Sequence, residues 1–194
     1  MRGVGGLILG EGGAVKLANL VTLSRGVAVA PIALLLLAGH AGWALALYLA
    51  AAATDLADGW LARREGRASE FGAQLDAAVD NLFSVGILVF LLLAYPGLAS
   101  RQGLALAVLF GGPIAYLAAS WLMTRRLMMF HFWSAKAGAF LLFVLWPLMA
   151  VTGWEGWVAL AAAVVGLSRL EQLVFILRGG VDLDAPHGLS GVTR

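Results

Sequence analysis

The sequence has no cysteine, so it can form no disulfide and offers no thiolate to a metal or substrate, and its redox compartment cannot be read from cysteine usage. Charge is scarce too. Asp, Glu, Lys and Arg make up 12% of 194 residues against 61% hydrophobic ones, a balance that excludes an ordinary soluble domain and points to a bilayer. With no linker-like or low-complexity tract and no internal repeat, we expect one domain over residues 1–194, with 179–194 as a flexible polar tail. No Ala-x-Ala-like site follows the Gly-rich residues 1–15, which argues against a cleavable signal peptide and for an anchoring first span. Basic residues are too few, and lie too close to apolar runs, to suggest nucleic-acid binding.

What is abundant is long apolar sequence. Six stretches could span a membrane, at 23–39, 42–62, 71–95, 102–124, 133–152 and 155–178, so the expected fold is all-α and polytopic with both termini on one side. Residues 13–20 could add a short amphipathic helix on the membrane surface. Turns at Gly39-His40-Ala41-Gly42, Tyr95-Pro96-Gly97 and Thr152-Gly153-Trp154 fall on one face. Lys16, Arg63, Arg64, Arg67, Arg125, Arg126, Lys136 and Arg178 gather on the other, against Arg101 alone opposite, which makes the basic face cytoplasmic. Most of the seven Trp lie near span ends, as in an aromatic belt. Arg169 and Glu171 are i, i+2 on the sixth span and so cannot neutralise each other. Each needs an outlet, by snorkelling or by pairing across to another helix or subunit.

Against this background stand four carboxylates at helical spacings. Asp55 and Asp58 are i, i+3, and Asp76 and Asp80 are i, i+4, so each pair shares a face and two such helices could converge on one site. An Asp at mid-bilayer costs about 2.5–3.5 kcal/mol, so four unpaired ones would cost on the order of 10 kcal/mol. A structural reading has Arg25, Arg63 and Arg64 neutralise them near the interface. A functional reading makes them an oxygen cage for a hard divalent cation serving a phosphate-bearing substrate. Gly59 and Gly72 interrupt the same helices, either for tight packing or because a ligand must approach the backbone.

The set Asp55, Asp58, Gly59, Ala62, Arg63, Gly72, Asp76 and Asp80 resembles the signature of the CDP-alcohol phosphotransferases, membrane enzymes that move a substituted phosphate from a cytidine diphosphate carrier to an alcohol and release CMP. Eight specified residues coincide by chance on the order of once in 10^9 starting points. The resemblance implies Asp55, Asp58, Asp76 and Asp80 as ligands of Mg²⁺ or Mn²⁺, two ions in all, and Asp80 as general base. It implies Asp58, Gly59, Ala62, Arg63 and Gly72 as the groove for the cytidine and its diphosphate. A homodimer, multi-pass in the cell (inner) membrane with its active site toward the cytoplasm, is implied as well.

Asn19 to Arg25 with Pro31 resembles the start of the first span in phosphatidylglycerophosphate synthases, which favours a lipid-linked donor such as CDP-diacylglycerol and a place in phospholipid biosynthesis. Arg25 is then a phosphate contact or a snorkelling anchor. Arg125, Arg126, His131 and Lys136 are either topology determinants or a pocket for an acceptor phosphate or lipid headgroup. Lys136 in Trp133-Ser134-Ala135-Lys136 resembles a lysine-containing segment of the same synthases, whereas Asn81 stands where that branch commonly has lysine. Two other readings stay open at this point. One is headgroup transfer from a soluble CDP-alcohol to a diacylglycerol; the other is an intramembrane metal-ion transporter, which would also line its path with carboxylates.

Overall fold

A computed structural model describes residues 17–65, 70–128, 130 and 132–180, with side chains from residue 20 onward except 55–74. Among the described residues helices are joined by short turns and one longer connection, and there is no strand. In order it comprises α1 (Leu17–Leu37), α2 (Ala41–Glu65), α3 (Glu70–Ala94), α4 (Leu98–Leu106), a π-helical turn (Ala107–Gly111), α5 (Gly112–Thr124), α6 (Trp133–Thr152) and α7 (Gly156–Leu177). Residues 17–20, expected in a separate surface helix, are the first turn of α1; 13–16 and the tail 181–194 lie outside the described residues.

Five segments are long and apolar enough to cross a membrane: Leu20–Leu37, Leu75–Ala94, Leu98–Thr124, Trp133–Thr152 and Gly156–Leu177. In the expected second span, 42–62, the apolar stretch Ala41–Thr54 reaches as far as the described side chains do, on a 25-residue helix about 37 Å long that is sufficient to reach across. Large apolar side chains such as Val27, Leu104, Phe140, Val151 and Leu167 are exposed on these helices, as expected where the surrounding solvent is lipid. The chain is a multi-pass integral membrane protein.

The turns stop where left-handed glycines allow. After α1, Gly39 at φ 78° lets its own N–H reach the Leu36 carbonyl and the His40 N–H reach that of Leu35. Gly153 ends α6 likewise, its N–H donating to the Met149 carbonyl, and Gly97, at φ 82°, is the N-cap of α4. In the long fourth span, Pro113 has no N–H to donate and follows two glycines, and the helix widens into a π turn immediately before it.

The helices form two groups. In the first, α1 packs on both α2 and α3. A Cβ at Gly86 would lie 3.0 Å from Val29, and one at Gly26 would lie 3.5 Å from Val79, so α1 and α3 approach to backbone distance at two levels. Tyr48 of α2 stacks on Phe83 of α3 at 5.3 Å between centroids and meets Phe90 edge-on at 6.1 Å, all three fully buried.

In the second group α7 is the hub, packing on α4, the π turn, α5 and α6. Its Gly166 faces Val108 of the π turn, and its Val165 lies 3.0 Å from where a Cβ of Gly138 on α6 would stand. Between α5 and α6, Met128, Phe130 and Phe132 are buried, and Phe132 has extended backbone just before α6 begins. Phe130 and Phe132 stack at 5.1 Å and both meet Phe175 of α7 edge-on. The Tyr116 hydroxyl donates to the Met128 carbonyl at 2.8 Å, fixing this segment from within. At the far end, Arg101 donates through Nε and Nη2 to the two oxygens of Glu155, at 2.8 and 2.6 Å.

Candidate active site

The site starts from the spacing on α3. Asp76 and Asp80 stand one turn apart on one face, both half-exposed, and α1 delivers Arg25 between them. The Arg25 Nη2 donates to Asp76 Oδ1 at 3.0 Å and to Asp80 Oδ1 at 2.6 Å. Arg25 itself is 1% exposed. It is therefore not a snorkelling anchor: its permanent charge is buried and its outlet is the carboxylate pair. The glycine beside it explains the reach, since Gly26 packs against Val79, the neighbour of Asp80.

The backbone places the remaining signature residues on the same group of helices. Asp55, Asp58, Gly59, Ala62 and Arg63 lie on the C-terminal half of α2, and Gly72 lies on the first turn of α3. Their side chains, like that of Arg64, lie outside the described residues. Two of the four carboxylates are thus seen, and among the described residues no group of three or more His, Cys, Asp or Glu comes together. Asn81 bonds its own helix, donating to the Ala77 carbonyl at 2.8 Å.

The second basic group belongs to the other set of helices. Arg125 and Lys136 are exposed and each lies over an indole, Trp121 at 5.1 Å and Trp133 at 5.0 Å. Arg125 also caps α5 in the left-handed conformation, φ 57°, which is uncommon for a residue with a Cβ. Arg126 is exposed beside it, and His131 lies outside the described residues.

Arg169 and Glu171, which the spacing separates, are joined by a relay of neutral groups. Arg169 donates to Gln172 Oε1 at 3.0 Å and lies over the Tyr116 ring; Gln172 donates to Ser168 Oγ at 3.3 Å. Ser168 pairs with Ser134 Oγ at 3.1 Å, and the Ser134 hydroxyl donates to Glu171 Oε2 at 2.6 Å. With a single proton per hydroxyl, Ser134 serves the carboxylate and Ser168 serves Ser134. The expected pairing across to another helix is met by Ser134 of α6. No sequence signal marks Ser134 or Gln172 in advance, because neither is charged.

Comparison with known proteins places this arrangement. Residues 15–168 match the profile of the family described as CDP-alcohol phosphatidyltransferase. A CDP-diacylglycerol–glycerol-3-phosphate 3-phosphatidyltransferase from Cereibacter sphaeroides is 39% identical over 77 residues, covering 38% of this chain and 35% of that one. A CDP-diacylglycerol–inositol 3-phosphatidyltransferase from Schizosaccharomyces pombe is 36% identical over 78 residues, covering 40% and 32%. A CMP-forming cardiolipin synthase from Streptomyces coelicolor is 32% identical over 135 residues, covering 64% and 57%. The chain thus spans about a third of the first two relatives and just over half of the third. No solved structure gave a significant match. With the profile running from the start of α1 into α7 and taking in every signature position, the chain belongs to the CDP-alcohol phosphatidyltransferase family.

Proposed function

We propose that the protein transfers a phosphatidyl group from CDP-diacylglycerol, or a related CDP-lipid, to an alcohol acceptor and releases CMP, as a step of phospholipid biosynthesis. The observation that carries this reading is the Asp76–Arg25–Asp80 bridge: two carboxylates one helical turn apart, half-open to solvent, on the helix that completes the family signature. All three curated relatives described above are named for transferases or synthases of membrane phospholipids.

Asp80 is the general base. It takes the proton of the acceptor hydroxyl as the alcohol oxygen attacks the phosphorus that carries the diacylglycerol, and the bond from that phosphorus to the bridging oxygen of the diphosphate breaks, releasing CMP. Asp58, Gly59, Ala62, Arg63 and Gly72 form the nucleotide groove, where a larger side chain at Gly59 would block the cytidine. Arg125, Arg126 and Lys136 receive the acceptor's anionic group; Arg25, taken up by the carboxylates, belongs with the acidic side.

The donor set fits a hard divalent cation: Asp76 and Asp80 offer oxygen only, and each uses a single oxygen on Arg25. Asp55 and Asp58 would complete a set for two Mg²⁺ or Mn²⁺. Bound there, such ions supply charge stabilisation for the diphosphate and the departing CMP. The active enzyme is a homodimer with this site facing the cytoplasm.

The test is CMP release from CDP-diacylglycerol by the purified protein, with Mg²⁺ or EDTA, across glycerol 3-phosphate, inositol phosphate, serine and other alcohols. Metal-dependent release with one acceptor is the expected result. Release only from CDP-choline or CDP-ethanolamine would overturn the donor, and cation flux into liposomes without any CDP compound would overturn the reaction.

A further inference from the structure

Arg25 does more than fill space between helices, because the atoms it engages are those that a divalent ion would need. Both Oδ1 atoms bond the same nitrogen, so they lie less than about 6 Å apart. Two carboxylates that close repel each other unless a cation stands between them. The guanidinium is that cation here, and it cannot discharge by losing a proton. Nor can it easily withdraw. Its side chain is buried, and α1 is held against α3 by the close packing of Gly26 on Val79 at the level of the bridge and of Gly86 on Val29 beyond it.

We infer that Arg25 is a resident counter-cation: it neutralises Asp76 and Asp80 when no divalent ion is bound, competes with the ion for their oxygens, and so sets the ion concentration at which the site fills. This rests on the reading that Asp76 and Asp80 hold a divalent ion. The device has two consequences. The chain can fold and insert without metal, and metal binding is weaker than the carboxylates alone would give. Arg25 is a positioning residue in this account, acting through the carboxylates without touching substrate.

The experiment measures Mn²⁺ binding directly, by the electron paramagnetic resonance of free Mn²⁺, on the full-length protein in detergent with no nucleotide or lipid substrate. Thermal unfolding is followed in EDTA and in Mn²⁺. Removing a unit positive charge beside the ion in R25Q should tighten Mn²⁺ binding about ten-fold. It should also lower the unfolding temperature in EDTA and largely restore it in Mn²⁺. R25K keeps a charge for folding but lacks the reach and fork of arginine, and it should fall between R25Q and the parent. Mn²⁺ binding in R25Q or R25K that is unchanged or weaker overturns the inference. If R25Q is recovered only in Mn²⁺, that supports it; if R25Q cannot be recovered at all, R25K decides. Should the parent protein bind no more Mn²⁺ than D76N/D80N, the metal reading itself fails, an outcome distinct from failure of the inference.

Discussion

Asp80 and Asp76 were legible as a pair from their spacing alone, because a helix fixes which residues share a face. Their partner was legible only as one of three arginines, Arg25, Arg63 and Arg64, because Arg25 lies 55 positions from Asp80 and no local pattern singles it out; the structure shows Arg25 on both carboxylates. The side chains of Asp55, Asp58 and Arg63 are equally legible as spacing and stay outside the described residues, so the four-carboxylate site is half seen. If Asp80 is the base, D80N should lower kcat by at least about 100-fold while the affinity for the CDP-lipid changes little, which single-turnover kinetics and ligand binding would separate. Normal turnover would remove Asp80 from that role. At Ser134 the expectation concerns stability. Alanine there leaves Glu171 and Ser168 short of a partner, and should cost about 1–3 kcal/mol in denaturant or thermal unfolding, whereas Ser134→Thr should cost less.

Helices were the easiest feature to foresee. Apolar runs interrupted near Gly39, Gly97 and Gly153, each at a positive φ, marked three of the turns between them. What periodicity could not show was how closely helices approach, which depends on which glycine meets which neighbour. Gly138 illustrates this. Leucine there would drive into Val165, and overpacking of this kind should destabilise by about 1–3 kcal/mol, read as a lower unfolding temperature in detergent. Gly86→Leu should act similarly against Val29 and, by prising α1 from α3, lower activity as well. Between α4 and the start of α7, hydrogen bonding from Arg101 holds the Glu155 carboxyl below the usual glutamate range. A group whose pKa is depressed by folding stabilises the fold fully above its ordinary value and loses that contribution as pH falls through the depressed one. Acidification below the ordinary glutamate range should therefore destabilise the parent more than Glu155→Gln, as unfolding temperature against pH would show.

For the whole molecule, composition settled the solvent and the family signature settled the chemistry to be sought, but sidedness needs a direct reading. Leu98–Thr124 is a single membrane-length segment, so residues at its two ends must emerge on opposite faces. The absence of cysteine makes this simple to test, since any introduced thiol is the sole one. With a membrane-impermeant maleimide on intact cells, Ser100→Cys should be labelled and Leu127→Cys should react only after permeabilisation; the reverse pattern would invert the topology and turn the basic face outward. The π turn in this same segment carries an implication for how the chain tolerates changes of length. It holds one residue more than an α-helical path would need, and Val108 within it is set against Gly166 of α7. Deleting one residue between Ala107 and Gly111 would let the helix run on regularly and leave Tyr116 in place against Met128 and Arg169, whereas the same deletion in the regular helix between Pro113 and Tyr116 would turn everything beyond by about 100°. A single missing codon is absorbed in the first place and in the second presents the wrong side of the helix to its neighbours.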